Sequence, residues 1–80
     1  MLIETTNHRY EVRESEQLFR LVGFDPQTGE PVPGRWQTYD RMSPVQAGEP
    51  IRFFVAGEDN GRILSYRLIT TSPVTGVLAA

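Results

Sequence analysis

Residues 51–70 read IRFFVAGEDNGRILSYRLIT. Two apolar runs meet at an acidic, glycine-ended tip, and the way they fold together decides the architecture. In PIRFFVA (50–56), the two-residue period of a strand puts Ile51, Phe53 and Val55 on one face. In RILSYRLIT (62–70), Leu64, Tyr66 and Leu68 share a face in the same way. Glu58-Asp59-Asn60-Gly61 supplies the turn chemistry, with Gly61 free to take a positive φ. A turn over those four residues sets Phe53 opposite Tyr66, Ile51 opposite Leu68 and Val55 opposite Leu64. A slip of two residues keeps these faces together, whereas a slip of one mixes them. Burying six such side chains contributes roughly 10 kcal/mol before entropy. That is comparable with the net stability of a small domain. The hairpin is therefore expected at the centre of the core, with Arg52, Phe54, Arg67 and Ile69 on its back face.

Outward from this hairpin, glycine and proline punctuate the chain at short intervals, the rhythm of strands and turns. LIETT (2–6) is rich in strand formers, and Asn7-His8 offers a tight turn. RYEVR (9–13) alternates strictly, with Tyr10 and Val12 on one face. QLFRLVGF (17–24) reads as a strand with Phe19 and Leu21 on one side and Leu18, Arg20, Val22 and Phe24 on the other. A short helix near residues 15–22, capped by Ser15, is the alternative there. FDPQTGEPVPGR (24–35) carries three prolines and two glycines, which excludes a central strand or a helix interior. RWQTYDR (35–41) reads as one strand, SPVQAGEP (43–50) as a loop. TTSP (70–73) should break the strand, and VTGVL (74–78) forms a last short one. Six to seven short strands in 80 residues must cover both faces of a sheet or curl it. The expected fold is all-β: a small, strongly bent antiparallel sheet or a partly open SH3-like barrel, as a single domain over residues 1–80.

Composition narrows function by exclusion. There is no cysteine, so no disulfide, thiolate nucleophile or cysteine-ligated metal site is available. A single histidine, His8, cannot anchor a typical zinc site. The serines lack the nucleophile-elbow pattern. The acidic tip at 57–61 lacks the ligand spacing of a calcium loop and puts carboxylates where a phosphate needs donors. No enzymatic activity and no cofactor are expected. Net charge is −2 with a pI near 5.2, which disfavours non-specific attraction to nucleic acid or anionic membranes. No stretch is long and apolar enough to span a bilayer, and MLIETTNHRYEV has no secretory pattern. Cytoplasmic location follows by default.

All eight basic residues are arginine. A GC-rich genome would produce that bias, since arginine codons are GC-rich, and either way the basic groups suit planar, bidentate or stacked contacts. Aromatics and arginines dominate binding hot spots. Arg52, Phe54 and Arg67 are therefore the candidate contact patch, with Trp36 and Tyr39 as secondary candidates. The expected function is a non-enzymatic protein-binding module, an accessory or inhibitor protein that occupies a partner's surface. Alternatives are a single-stranded nucleic-acid-binding barrel and a homo-oligomer pairing through an edge strand such as 2–6 or 74–78.

Overall fold

The computed structural model describes the backbone of residues 1–59 and 62–79, and the side chains of all of these except 58, 59, 62–65 and 79. Eight strands follow in order: β1 (Leu2–Thr5), β2 (Arg9–Arg13), β3 (Leu18–Phe24), β4 (Pro31–Pro33), β5 (Gln37–Thr38), β6 (Arg41–Met42), β7 (Pro50–Asp59) and β8 (Arg62–Ala79). They form one antiparallel sheet in the order β4-β3-β2-β1-β8-β7-β6, with β5 added to β3. The sheet is not closed into a barrel. Among the described residues no helix is long and apolar enough to cross a membrane.

Strand β8 is the hinge of the design. Its first part pairs with β7, up to Pro73 opposite Pro50, and its last part pairs with β1, from Val74 to Ala79. The expected break at 70–73 is thus a change of partner within one long strand, and 74–78 is its continuation. Proline is tolerated here because Pro73 lies where the β7 ladder starts. Hydroxyl groups fill the crease. Ile51 N donates to Thr71 Oγ1 (3.0 Å), and Ser72 Oγ donates to Thr5 Oγ1 (2.8 Å).

The bend is strong, as one distance shows. In a flat sheet the four strand steps from β3 to β7 would span about 19 Å. Instead Phe19 of β3 stacks on Phe53 of β7 with ring centroids 4.0 Å apart and planes 6° from parallel. The two halves of the sheet therefore fold onto each other. Ile3, Val12, Ile51, Tyr39 and Val74 are buried around that stack.

The 15–22 helix alternative reduces to one 3₁₀ turn at Glu14–Glu16, closed by Gln17 in the left-handed region (φ 53°). Strand then runs from Leu18, with Phe19 buried on one face and Val22 on the other. Segment 35–41 is not one strand. β5 pairs with β3 and β6 pairs with β7, so the chain crosses between the sheet halves at Tyr39–Asp40. Residues 2–6 are no edge: β1 has β2 on one side and β8 on the other.

Central-hairpin register departs from expectation by three residues. Phe53 pairs with Ile69, Phe54 with Leu68, Val55 with Arg67 and Ala56 with Tyr66. Two causes add up. Asp59 pairs with Arg62, so the strands continue two residues further than a four-residue turn allows. Of the expected turn, Glu58 and Asp59 belong to β7, while Asn60 and Gly61 lie outside the described residues. That slip alone would preserve the faces. A bulge then adds the odd residue: Gly57 pairs with Ser65 but Glu58 with Ile63, leaving Leu64 without an opposite number. The faces of β8 exchange as a result. Ile69 packs against the core and Thr71 is buried, whereas Tyr66 and Leu68 are half exposed.

Candidate functional site

Two arginine–aromatic surfaces emerge, one on each half of the sheet. The first is the outward face of the β7–β8 ribbon. Residues directly opposite in an antiparallel pair share a face. Arg41, Phe54 and Leu68 therefore form one row across β6, β7 and β8. Arg52 with Thr70 and Ala56 with Tyr66 form the rows on either side. The Arg41 guanidinium lies 5.4 Å from the centroid of the half-buried Phe54 ring. Tyr66 is 52% and Leu68 50% exposed, large values for apolar side chains lying next to each other on one face. Asp40 is the carboxylate at this margin, and its Oδ2 accepts from Ala56 N at 2.6 Å.

Of the expected patch, Arg52 and Phe54 are on this face. Arg67 is not: it sits opposite Val55 on the other face, because the bulge inverts β8 relative to β7. Arg67 is nonetheless exposed. Tyr39 is also corrected. It is 6% exposed, packed against Phe53 (5.4 Å) and Phe19 (6.0 Å), because the crossover between β5 and β6 turns its ring into the fold. Burial raises its phenol above the ordinary value, and Glu14 pushes it the same way. Arg41, Tyr66 and Leu68 are the residues that sequence reasoning left out. Both faces of RILSYRLIT are apolar, so alternation cannot choose between them. The Asn-Gly dipeptide at 60–61 was the available signal, since it favours a two-residue connection.

The second surface is the outer face of β1–β3. Cross-strand neighbours there are oppositely charged: Arg9 bonds Glu4 at 3.0 Å and Arg20 bonds Glu11 at 2.6 Å. Trp36 lies over this face, its ring 4.1 Å from the Arg20 guanidinium and 4.5 Å from that of Arg13. Arg9 lies 5.0 Å from the Phe24 ring, with its Nε buried and unpaired among the described residues. Leu2, Val22, Pro31 and Pro33 line a shallow cleft beside these groups. Trp36 is thus half-buried and engaged within the chain.

Guanidiniums stay protonated at ordinary pH and act as hydrogen-bond donors only. The single imidazole, His8, is exposed in the β1–β2 turn, edge-on to Tyr10 at 6.2 Å. Among the described residues no three His, Cys, Asp or Glu side chains gather in a way that could hold a metal ion. Such surfaces can bind by apolar contact, cation–π contact and bidentate hydrogen bonding. The chain has no significant match to any protein-family profile, curated protein or solved structure.

Proposed function

We propose that this chain is a protein-binding module that docks a partner on the outward face of its β7–β8 ribbon. One observation supports the reading above all: Tyr66 and Leu68 stand half exposed beside Phe54, with Arg41 and Arg52 at the rim. Monomeric proteins seldom leave neighbouring large apolar side chains uncovered, and an arginine rim around an aromatic centre is the composition of a contact hot spot. The matching partner presents an apolar knob flanked by carboxylates. Occupying that surface is how the chain acts, as an accessory or inhibitor protein.

The experiment compares wild type with Leu68→Asp and Tyr66→Ala as immobilised baits in a lysate of the native host. Wild type should retain a specific protein that both variants lose, while their far-UV circular dichroism and melting temperature stay at wild-type values. Equal retention by all three baits removes this reading. Single-stranded nucleic acid is the weaker occupant. It needs free ring faces for stacking, and the Trp36 ring already lies against two guanidiniums in a chain of net charge −2. Salt-sensitive anisotropy of a labelled oligonucleotide would reinstate it.

A further inference from the structure

The two long edges of the ribbon are treated differently. On β7, Asp40 N donates to Phe54 O, Ser43 N to Arg52 O, and the Arg52 and Ala56 amides donate to Ser43 Oγ and Asp40 Oδ2. Even-numbered β7 residues thus turn their backbone groups toward β6, and the loops satisfy them. It follows from ladder alternation that Phe53 and Val55 bond to β8 through Ile69 and Arg67. Tyr66, Leu68 and Thr70 must then direct their N–H and C=O groups to the opposite edge. The β1–β2 turn reaches β8 only at Ser72 and Pro73, through the Asn7 and Thr6 amides. Among the described residues no strand pairs with the edge of β8 facing away from β7 between Arg62 and Thr70. This edge carries neither proline nor an acidic residue from Ser65 to Thr70, and such bare edges pair with other strands.

We infer that a second copy of this chain adds to that edge, β8 against β8, antiparallel about a two-fold axis at Leu68. The axis position follows from elimination. The outward-directed residues Tyr66, Leu68 and Thr70 have to occupy the hydrogen-bonded positions, which allows axes at residues 66 to 69. An axis at Arg67 sets arginine against arginine, which is destabilising. An axis at Tyr66 needs Leu64, which the bulge takes out of the ladder. An axis at Ile69 sets Tyr66 opposite Ser72, where the β1–β2 turn already sits, and so leaves only the Leu68–Thr70 pairs, whereas an axis at Leu68 completes its Tyr66–Thr70 and Leu68–Leu68 pairs before the ladder reaches Ser72. At Leu68 the pairs are Leu68 with its own copy, Tyr66 with Thr70 and Arg67 with Ile69, with no like charges opposed. Such a contact is isologous and closes at two copies. The inference concerns backbone groups along the edge and does not depend on the docking face. It does join the two faces: the Arg41–Phe54–Leu68 row continues into Leu68, Phe54 and Arg41 of the second copy.

The test is sedimentation equilibrium together with amide exchange read by NMR. Wild type should move from 9.1 kDa to twice that mass with rising concentration. The Tyr66, Leu68 and Thr70 amides should become protected over the same range. Thr70→Pro, which removes a donor from the open edge and leaves the docking side chains in place, should stay monomeric with a folded spectrum. If Thr70→Pro unfolds, a synthetic chain N-methylated at Leu68 takes its place. A wild type that stays monomeric at millimolar concentration overturns the inference. So does a dimer that survives both edge modifications, or one whose three amides exchange freely. Partner capture by a monomeric Thr70→Pro chain would uphold the docking reading whatever the oligomeric result.

Discussion

Phe19 and Phe53 stack at 4.0 Å with nothing between them, and Tyr39 closes the group edge-on. Such a cluster confers rigidity because aromatic pairs add to area burial only in defined geometries. It also fixes the fate of the Tyr39 phenol, raised by burial and by Glu14; burial raises Tyr10 as well. A raised folded-state value favours the neutral form. Its contribution is fully present below the unfolded value near pH 10 and is lost as pH climbs through the folded value. The chain has neither lysine nor cysteine to overlap with these two phenols. Urea midpoints measured from pH 9 to 11.5 should therefore fall for wild type. They should fall less steeply for Tyr39→Phe, with Tyr10 responsible for the remainder. Identical slopes would mean that the Tyr39 hydroxyl ionises as freely in the fold as outside it.

Among the elements, β2 and β3 show how charge and aromatic stacking hold an exposed face. Trp36 rests on Arg13 and Arg20, and Arg20 is also tied to Glu11. Cation–π contacts at exposed sites contribute about 0.5–1 kcal/mol each. Arg13→Ala combined with Arg20→Ala should lower stability by about 1–2 kcal/mol. Trp36 is the sole tryptophan, so the same variant should shift its emission to the red. Unchanged emission would show that the guanidiniums do not shield the ring. This surface was invisible in the sequence: Arg13, Arg20 and Trp36 are brought together only because β5 folds back onto β3. Strand β2 was legible, as RYEVR alternates cleanly and only its Tyr10 and Val12 face is apolar, whereas LFRLVGF buries Phe19 on one face and Val22 on the other. RILSYRLIT was not. With apolar residues on both faces, its register hangs on turn length, for which Asn60-Gly61 is the one local signal, and on a bulge at Leu64 that local composition does not announce. The candidate patch inherited that ambiguity, which is why Phe54 kept its place and Arg67 exchanged faces with Leu68.

At the scale of the whole molecule, one strand belongs to both halves. β8 pairs with β7 at one end and β1 at the other, and the core is assembled from Ile3 and Val12 on one side and Ile51 and Phe53 on the other. Neither half buries its apolar face alone, so neither should be stable without the other. The pairing of Leu2 with Ala79 and Ile3 with Val77 also closes nearly the whole chain into a loop. Loop-closure entropy must be met before those contacts form, which slows folding. Unfolding in urea should accordingly be a single transition. Trp36 emission, which reports the β1–β4 half, should coincide with far-UV circular dichroism, which reports all strands. Refolding should be single-exponential, on the order of milliseconds to seconds. Val74→Ala, placed at the change of partner and 3% exposed, should move both probes together, by about 1–2 kcal/mol. If it instead separates them, the ribbon and the N-terminal half fold as independent units and β8 only tethers them.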